Sequence, residues 1–412
     1  MPTHDSLQQN NGMFGLDDQP IGKAVIKVVG VGGGGNNAVM HMVAKNITDI
    51  EFICANTDAQ VLRDIEGVIP FQLGATVTNG LGAGANAEKG KQAALEDKER
   101  IVELLNGVNM LFITAGMGGG TGTGAAPVLA ELARERGILT VGVVTKPFAF
   151  EGKKRMNIAN MGIESLEERV DSLIVIENNK LMSALGDDVT VQDAFASAND
   201  VLANAVKGIS DLITHKGDIN VDFADVETVM RGNGLSMMGI GEATGENRAQ
   251  RAAEMALSSP LLQDMTMSNA KGLLVNITAG SNLAMREFNE VGNIMHDVAS
   301  ELADVIIGTA VDPSMKDELR VTVVATGIDH LADRPEPTVV VDNPAVRSRT
   351  QPPYGGSANP RPQAQPLRQR PSSQPAAHQP QSRPARPQSP SGYSDTQIDR
   401  FDVPAFLRKQ AD

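Results

Sequence analysis

The sequence is poor in cysteine and in aromatic residues: its 412 residues include one cysteine, no tryptophan and two tyrosines. The single cysteine, Cys54, cannot form an internal disulfide and provides no thiolate cage for a metal ion. No stretch approaches the roughly 20 consecutive apolar residues of a membrane-spanning helix. The first 22 residues lack the basic start and the apolar run of a signal peptide. We therefore expect a cytoplasmic protein that is neither secreted nor inserted in a membrane.

Charge is divided unevenly along the chain. The formal net charge is −14, but residues 1–330 contain 25 basic and 43 acidic side chains, whereas residues 331–412 contain 11 basic and 7 acidic ones. The first part is acidic and has neither Trp nor Tyr, so it offers a nucleic acid no phosphate neutralisation and no stacking platform. We therefore expect no nucleic-acid partner.

Residues 331–412 also differ from the rest in composition. They contain 15 of the 22 prolines and both tyrosines, and seven arginines but no acidic residue occur within 343–394. Such a segment has too few apolar residues to offset the loss of chain entropy on folding. We predict a disordered basic linker over 331–397, and a flexible N-terminal extension over 1–23.

From residue 24 onward, short apolar runs rich in Val and Ile alternate with longer amphipathic runs. The pattern predicts buried strands at 24–31, 51–56, 110–115, 139–145 and 172–177, and helices at 37–45, 88–105 and 125–136. The strict alternation of predicted strands and helices indicates an α/β fold with a Rossmann-type, doubly wound parallel sheet. Such a sheet binds its ligand at the carboxyl ends of the strands. We assign this part, residues 24–188, to a first domain.

A long amphipathic stretch follows, and its apolar residues form one stripe at helical spacing. It predicts a central helix over 189–216 that is long enough to cross the molecule. Beyond it, the pattern predicts strands at 272–279, 305–311 and 319–327 and helices near 248–257 and 282–302. These elements predict a second, smaller α/β domain over 217–330.

The first predicted strand leads directly into a glycine-rich loop, Gly30–Gly35, and then into a helix. This loop satisfies G-x-G-x-x-G, in which glycine lets the backbone approach a phosphate and the start of the helix favours the anion. Asp58 follows the second strand, where a dinucleotide enzyme places the acid that binds ribose. Taken alone, the motif supports an NAD-dependent oxidoreductase.

A second glycine-rich loop, Gly116–Gly124, follows another predicted strand and precedes another helix. A dinucleotide enzyme needs one phosphate loop, whereas a chain of two or three phosphates can be wrapped by loops from two neighbouring strands. The Walker pattern G-x-x-x-x-G-K-[ST] does not occur in the sequence. We expect backbone amides, the hydroxyls of Thr121 and Thr123, and a metal ion to balance the phosphate charge.

Four motifs occur in the order that is typical of one family. They are Gly-Gly-Gly-Thr-Gly-Thr-Gly (118–124), Lys-Pro-Phe-Ala-Phe-Glu-Gly-Lys-Lys-Arg (146–155), Asn-Val-Asp-Phe-Ala-Asp-Val (220–226) and Asp-Val-Pro-Ala-Phe-Leu-Arg-Lys-Gln-Ala-Asp (402–412). On these motifs the chain resembles the tubulin/FtsZ family, whose FtsZ members are bacterial cell-division GTPases. The resemblance implies a tubulin/FtsZ-like fold and a protein that hydrolyses GTP and polymerises head to tail into the filaments of the cytokinetic Z ring.

The resemblance also implies a nucleotide site, position by position. The loop residues that match it are Gly33, Gly34, Gly35, Asn36, Asn37, Ala83, Gly84, Ala85, Gly118, Gly119, Gly120, Thr121 and Gly122. Residues that match contacts to ribose, phosphate or base are Glu151, Arg155, Asn178, Phe195 and Asp200. Among these, Phe195 is expected to stack on the base and Asp200 to accept from guanine N1 and N2, whereas without this context they are typical of helix core and of a solvated helix face. Mg²⁺ is expected to bind through the phosphates of GTP or GDP, with no metal-binding cluster in the protein.

Asp222 and Asp225 lie three residues apart after the long helix. Together they can orient and polarise a water molecule, as general-base chemistry requires, but the same spacing is typical of a turn followed by a helix N-cap. The resemblance implies that this loop, with Asn220, enters the nucleotide site of the next subunit and completes the active site there. The alternatives are the oxidoreductase and a structural filament that binds GTP without turnover.

The last residues of the sequence, 398–412, form a short amphipathic peptide. Its apolar and basic side chains are Phe401, Val403, Phe406, Leu407, Arg408 and Lys409. The resemblance implies a docking motif for membrane-tethering adaptors, FtsA-like or ZipA-like, and for division regulators, and the alternative is a frayed tail. We accordingly expect a cytoplasmic ring at mid-cell, on the inner face of the membrane and without direct insertion.

Overall fold

The part of the chain that the structure describes contains ten strands and eleven α-helices. The computed structural model describes residues 23–328, apart from residues 64, 187, 216–218, 220 and 263–269. The strands are β1 (Ile26–Val31), β2 (Glu51–Asn56), β3 (Ile69–Gln72), β4 (Met110–Gly116), β5 (Leu139–Lys146), β6 (Ser172–Glu177), β7 (Gly234–Thr244), β8 (Gly272–Ala279), β9 (Asp304–Val311) and β10 (Glu318–Thr326). The helices are α1 (Gly32–Ala44), α2 (Ala75–Thr78), α3 (Ala87–Glu96), α4 (Lys98–Leu104), α5 (Thr121–Arg134), α6 (Lys153–Glu167), α7 (Asn178–Leu185), α8 (Val191–Thr214), α9 (Phe223–Met230), α10 (Arg248–Leu257) and α11 (Met285–Val298).

The described strands form one sheet in the order β3-β2-β1-β4-β5-β6-β7-β10-β8-β9. Only β10 runs against its neighbours, and the other nine strands run in one direction. All nine therefore end at the same end of the sheet, which we call its carboxyl end, and start at the opposite, amino end. Loops that follow β1 and β4 are neighbours because these two strands are paired.

Both faces of the parallel part of the sheet are buried. In β1, Val28 packs into one hydrophobic core and Val29 into another. Phe112 and Ile113, their partners in β4, are divided in the same way. Because successive side chains of a strand point to opposite faces, continuous apolar strands are typical of a sheet covered by helices on both sides. The doubly wound arrangement predicted from the sequence is confirmed.

Two strands are absent from the sequence prediction. β3 is a short strand at the margin of the sheet and contains Pro70, a residue that sequence rules assign to turns. β7 is rich in glycine and methionine, which gives no clear apolar alternation, and it begins at Gly234. The strands predicted at β1, β2, β4, β5, β6, β8, β9 and β10 are all present.

The helices begin and end differently from the prediction at three places. α1 starts at Gly32 and α5 at Thr121, each about a turn earlier than expected, because Gly33, Gly34 and Gly35 lie within α1 and Gly122 and Gly124 within α5. The helix predicted over 88–105 is divided at Asp97, whose side chain accepts a hydrogen bond from the Gly74 amide at 2.7 Å. Helices α2, α6 and α7 are further elements that the sequence patterns did not reveal, whereas α9 begins where the Asp222/Asp225 spacing offered a helix start as the alternative.

The long helix predicted over 189–216 is present as α8, which contains 24 residues. Its close approach to the sheet depends on Gly208, where an added Cβ would lie 2.9 Å from Thr322 Cγ2. The amide of Asn276 in β8 also donates to the Gly208 carbonyl at 2.8 Å. At 1.5 Å per residue, α8 is about 36 Å long, and it fixes the distance between the two ends of the molecule.

Strand β7 joins the two parts of the sheet. Its first residues pair with β6, and residues Met237–Thr244 pair with β10.

The domain boundaries expected at 189 and 217 remain predictions. The N-terminal extension, the basic linker and the docking peptide predicted over 1–23, 331–397 and 398–412 lie outside the described residues, except for residue 23.

Among the described helices, none has both the length and the apolar character that crossing a membrane requires.

A buried ion pair joins α10 to the start of α11. Arg248 is 6% exposed, and its guanidinium donates to both carboxylate oxygens of Glu287, at 2.7 and 3.0 Å. Because removing one partner leaves a buried charge uncompensated, we expect Arg248→Ala to lower the free energy of unfolding by about 3 kcal/mol in urea titrations at neutral pH. Arg251→Ala, on the exposed side of the same helix, is the matched control and should change it by less than about 0.5 kcal/mol.

The pH dependence of the free energy of unfolding gives a second test of this ion pair. Hydrogen bonding from Arg248 holds the pKa of Glu287 below its ordinary value. A depressed pKa in the folded state stabilises the protein above the unfolded pKa, and this stabilisation is lost as pH falls through the folded value. The stability difference between the wild type and Glu287→Gln should therefore shrink on acidification. A difference that grew towards low pH would contradict this assignment.

Candidate functional site

The two glycine loops lie against each other at the carboxyl end of the sheet. A Cβ added at Gly32 would lie 2.8 Å from the Gly122 nitrogen, and one added at Gly34 would lie 3.0 Å from Gly116 Cα. The starts of α1 and α5 therefore meet, and their first-turn amide groups face one region. Because the residues before the two helices, Val31 and Gly120, have no side-chain acceptor, these amides stay available to an anion.

Hydrogen bonds from buried side chains hold both loops in shape. Asn36 is 1% exposed, and in the orientation that satisfies its amide it donates to the carbonyl oxygens of Gly30 and Ala55, both at 3.2 Å. The Thr123 hydroxyl accepts from the Gly118 amide at 2.9 Å. These two side chains therefore support the loops, and a direct contact from either to a nucleotide stays a prediction.

Two glycines are not explained by the fold. Among the glycines that the structure describes, only Gly33 and Gly119 combine an ordinary, non-positive φ with an absence of any atom within 4 Å of an added Cβ. Neither backbone conformation nor packing within the chain requires glycine there. The remaining reason for glycine is close approach of a ligand to the backbone, and both positions are in the predicted phosphate loops.

A third loop closes onto the second one. Gly84, with φ +60°, brings its carbonyl oxygen to within 2.3 Å of the place that a Gly120 Cβ would occupy. Its neighbour Ala83 is buried, whereas Gly84 and Ala85 are exposed. Asn86 then caps α3 by accepting from the Lys89 amide at 3.1 Å. The loop of Ala83, Gly84 and Ala85, which the resemblance matched to the nucleotide site, therefore lies next to the second glycine-rich loop.

Glu151 and Arg155 lie together beside the second loop. The Arg155 Nε lies 3.1 Å from Glu151 Oε2, and Glu151 Oε1 accepts from the Phe148 amide at 2.9 Å. A Cβ added at Gly118 would lie 2.7 Å from Arg155 Cγ, so the arginine packs directly on the loop. This places a cation next to the predicted phosphate position.

Phe195, the fifth residue of α8, belongs to an aromatic cluster. The Phe195 ring is edge-on to Phe148, with centroids 5.1 Å apart, and Phe148 is stacked on Phe150 at 5.0 Å. Phe148 is buried, whereas Phe150 is 60% exposed. Phe195 is thus part of an aromatic wall that follows β5, next to the glycine loops.

Asp200 lies one and a half turns further along α8 and faces α1. Its Oδ1 is 2.7 Å from His41 Nε2 and also contacts the Lys45 ammonium. Partial burial raises the pKa of Asp200, but hydrogen bonds from Lys45 and His41 act against it and hold the pKa below its ordinary value. The carboxylate is therefore ionised at neutral pH and available as an acceptor.

Asn178 and Asn37 complete the predicted set. Asn178 is the first residue of α7, is 3% exposed, and its Oδ1 receives no hydrogen bond from the residues that the structure describes. A buried acceptor without a donor is costly, and a ligand hydroxyl would satisfy it. Asn37 is exposed on the first turns of α1.

Asp222 and Asp225 are at the opposite end of the molecule from the glycine loops. Asp222 is the N-cap of α9, and its Oδ1 accepts from the Asp225 amide at 2.8 Å. Both carboxylates are exposed. Asn220, predicted to act with them, lies outside the described residues.

Contacts made by the residues that follow α8 and α9 fix this position. The ring of His215, which ends α8, is 3.9 Å from Asp49, and Asp49 precedes β2. Arg231, which ends α9, donates to the carbonyl of Gly137 just before β5 at 3.1 Å. Both contacts are at the amino end of the sheet, so the part of α8 that follows Phe195, about 29 Å of helix, separates the acidic pair from the aromatic wall.

Comparison with known proteins decides the family. The GTPase domain of the Tubulin/FtsZ family matches residues 25–186, and the C-terminal domain of the FtsZ family matches residues 234–329. The cell division protein FtsZ of Pseudomonas aeruginosa is 54% identical over 400 residues, which cover 97% of this chain and 100% of that protein. This chain belongs to the FtsZ family.

Further FtsZ relatives agree with this assignment. The cell division protein FtsZ of Coxiella burnetii is 58% identical over 316 residues, which cover 77% of this chain and 82% of that protein. A solved FtsZ dimer from M. jannaschii superposes with a TM-score of 0.71 at 43% identity, over 74% of this chain and 89% of that one. CetZ2 from Haloferax volcanii, solved as a GTPγS-bound protofilament, has a TM-score of 0.64 at 20% identity, over 74% of this chain and 94% of that one, and shows the shared fold alone.

Membership of the FtsZ family identifies the chain as a tubulin-like cell-division GTPase, which confirms the resemblance seen in its motifs. It also sets aside the NAD-dependent oxidoreductase. In that reading Asp58 would bind ribose, but here its carboxylate forms a turn by accepting from the Gln60 amide at 2.9 Å.

Sequence reasoning missed several residues of the site. Thr57 is fully buried, and its hydroxyl is 2.6 Å from that of Thr121. A polar residue directly after a buried strand was an available signal for it. His41 is in the last turn of α1 and Lys45 directly follows this helix, so their spacing of four residues places them on one face. Nothing in the sequence indicates that this face meets Asp200.

The unexplained glycines give a direct test of the phosphate site. Gly33→Ala or Gly119→Ala should leave the melting temperature nearly unchanged, because the added methyl group meets no protein atom. Each should weaken GTP binding by about tenfold or more, since the methyl group occupies space that a phosphate needs. Binding is measured by calorimetry on the full chain, and melting by circular dichroism.

Gly124→Ala is the matched control. Its Cβ would lie 1.9 Å from the Ala87 carbonyl oxygen, so it should lower the melting temperature. Undiminished GTP binding by Gly119→Ala would exclude this position from the phosphate site.

Proposed function

We propose that this FtsZ-family GTPase hydrolyses GTP at a site shared by two successive subunits of a filament. One subunit supplies the glycine loops, and the next supplies Asp222 and Asp225. The observation that carries the proposal is the separation of these two sets by the length of α8, with the glycine loops at the carboxyl end of the sheet and α9 at the amino end.

The separation has a geometric consequence. Carboxylates at one end of a rigid molecule cannot reach a nucleotide at its other end, but they can reach one on a neighbour that is stacked end to end. Such a contact joins two different surfaces, and its repetition without closure gives a filament. Family membership and this geometry together support a GTPase that polymerises head to tail.

The nucleotide is assigned to the carboxyl end of the sheet. Amides of Gly33–Gly35 and of Gly118–Gly122 surround the phosphates, with Ala83–Ala85 at the γ-phosphate. Arg155 balances part of the negative charge, and Glu151 holds that arginine and binds ribose. Hydrogen-bond donors close to the phosphates are needed because the chain has a net charge of −14, which opposes binding of a polyanion.

The base is assigned to the pocket between α1 and α8. Phe195 lies against the base, Asp200 accepts from its Watson–Crick edge, and Asn37 is close to its other side. Asn178 uses its unpaired Oδ1 to accept from the ligand. Asn36 acts from behind the loop, through its hydrogen bonds to the backbone.

Asp222 and Asp225 act on water. Because Asp222 Oδ1 is held by the Asp225 amide, the carboxylate has a fixed direction and its Oδ2 can accept a proton or a water hydrogen bond. The N-cap geometry predicted as the alternative is therefore present, and it prepares the carboxylate for its role in the neighbouring site. Asn220 is a third candidate in this loop.

Mg²⁺ is assigned to the phosphates of the nucleotide. In the described ranges, no group of three or more His, Cys, Asp or Glu side chains is arranged to hold a metal ion. The Thr121 hydroxyl, next to the first-turn amides of α5, suits a site where the ion is held mainly by phosphate oxygens. The ion would neutralise charge on the phosphates.

The C-terminal peptide 398–412 is assigned to partners. Its amphipathic pattern at the end of a basic, proline-rich segment suits docking to FtsA-like or ZipA-like membrane-tethering adaptors and to division regulators. Many such peptides on one filament would give avidity from weak contacts. This arrangement would hold the filaments as a ring at mid-cell, on the inner face of the membrane.

The acidic pair is tested by Asp222→Asn. Asparagine caps a helix as well as aspartate does, so the start of α9 should be kept while the proton acceptor is lost. The variant should bind GTP and form filaments, and its phosphate release should fall by about 10²–10⁴-fold. Glu227→Gln, which removes one charge from the same helix, should retain nearly full turnover. Undiminished hydrolysis by Asp222→Asn would remove this residue from the mechanism.

Mixing two impaired variants, at a GTP concentration too low to saturate Gly119→Ala, tests whether the site is shared. Asp222→Asn keeps its glycine loops, and Gly119→Ala keeps its acidic pair. In a mixed filament, some interfaces join the intact loop of one subunit to the intact carboxylates of the other. The mixture should therefore release phosphate faster than either variant alone. No recovery, in a mixture shown by light scattering to copolymerise, would contradict a shared site.

A further inference from the structure

The segment that precedes the acidic pair is bound to strand β9 through Thr309. The Thr309 amide donates to the Ile219 carbonyl at 3.1 Å, and the Thr309 hydroxyl accepts from the Ile219 amide at 3.0 Å. The same hydroxyl also donates to the Ile219 carbonyl at 3.4 Å. Thr309 is 3% exposed. One buried residue therefore binds both backbone polar groups of Ile219, three positions before Asp222.

The neighbouring residue of β9, Gly308, packs against the same segment. A Cβ added at Gly308 would lie 2.6 Å from Val221 Cγ2 and 2.6 Å from Leu212 Cδ2. Val221 is buried and belongs to the same hydrophobic core as Leu212 of α8. Strand β9 thus contacts the backbone at Ile219 and the side chain at Val221, directly before the acidic pair.

The Thr309 hydroxyl is not required by the strand itself. Valine has nearly the same shape and suits a buried strand position as well, whereas a buried hydroxyl is costly unless it is hydrogen-bonded. Within the described residues, both hydrogen bonds of this hydroxyl go to Ile219. Its contribution is therefore to the segment before Asp222, whose carboxylate is itself exposed.

We propose that Thr309 is a positioning residue for GTP hydrolysis, whose hydroxyl holds Ile219 and thereby directs Asp222 and Asp225 towards the nucleotide of the next subunit. The proposal rests on the proposed shared site. A displacement of about 1 Å at a reacting group can lower a rate by about 100-fold. Without the hydroxyl, the hydrogen bond from the Thr309 amide remains, so the loss should be smaller, about tenfold.

The simpler role of these hydrogen bonds is to stabilise the fold. That role predicts a lower melting temperature for Thr309→Val and an unchanged turnover by the subunits that remain folded and assembled. The positioning role predicts a lower kcat with little change in the KM for GTP, because the glycine loops that bind GTP belong to the other subunit. The two roles therefore differ in how kcat and KM change.

The test measures phosphate release by assembled full-length protein over a range of GTP concentrations, with light scattering to report assembly. Thr309→Val should lower kcat by about tenfold and leave KM and the threshold concentration for assembly within about twofold of wild type. Thr309→Ser keeps the hydroxyl and should keep kcat within about threefold of wild type. Thr309→Ala, compared with Thr309→Ser, repeats the test in a smaller side chain and does not depend on how valine packs.

Thr140→Val is the matched control, because it makes the same change at another buried strand residue. The Thr140 hydroxyl, at the start of β5, donates to the Ile138 carbonyl at 2.9 Å, away from Ile219. This variant should lower the melting temperature and keep kcat. An undiminished kcat in Thr309→Val, or an equal loss in Thr309→Ser and Thr309→Ala, would overturn the positioning role. An equal loss of kcat in Thr140→Val would overturn it as well.

Mixed filaments show which side of the interface is impaired. At subsaturating GTP, Thr309→Val mixed with Gly119→Ala should release phosphate faster than either variant alone, because Gly119→Ala supplies an intact acidic pair. A mixture with Asp222→Asn should show no such recovery, and recovery there would overturn the positioning role. Normal turnover by Asp222→Asn would instead contradict the proposed function, whereas a slow Asp222→Asn beside an undiminished Thr309→Val would overturn the positioning role alone.

Discussion

The distance that α8 imposes governs the rest of the molecule. Its 24 residues form a rod of about 36 Å that begins at the aromatic wall around Phe195 and ends beside Asp49, at the amino end of the sheet. Gly208 lets this rod lie directly on the sheet, where the Asn276 amide binds its backbone. Because the helix is packed along its length, it holds the glycine loops and the acidic pair apart. A reaction that requires both therefore requires two molecules.

The end of the molecule with the glycine loops depends on glycine itself, which has no side chain and lets two backbone segments come into contact. Parallel pairing of β1 and β4 brings two helix starts together, and glycine at the contacts between the loops allows them to touch. Buried threonine and asparagine side chains then fix the loops from behind. In the proposed site, the surface that faces the phosphates consists largely of backbone amides and of Gly33 and Gly119, which would let an acidic protein bind a polyanion.

Local patterns in the sequence predicted much of this structure, but they could not predict contacts between residues that are far apart in the chain. Eight of the ten strands and the long helix follow from apolar periodicity, whereas β7 does not, because its glycines and methionines give no alternation. The glycine motifs and the family resemblance located the loops, but not which side chains support them. That Asn36 is buried, and that His41 and Lys45 meet Asp200, depends on the packing of α1 against β2 and α8, which no local pattern encodes.

The central claim is that a single subunit cannot hydrolyse GTP. The most direct measurement is the rate of phosphate release from GTP, with magnesium, as a function of protein concentration. A site completed between subunits predicts almost no release below a threshold concentration and a linear increase above it, with the threshold coinciding with the onset of light scattering. A rate proportional to protein concentration from the lowest values, with no threshold, would contradict the account.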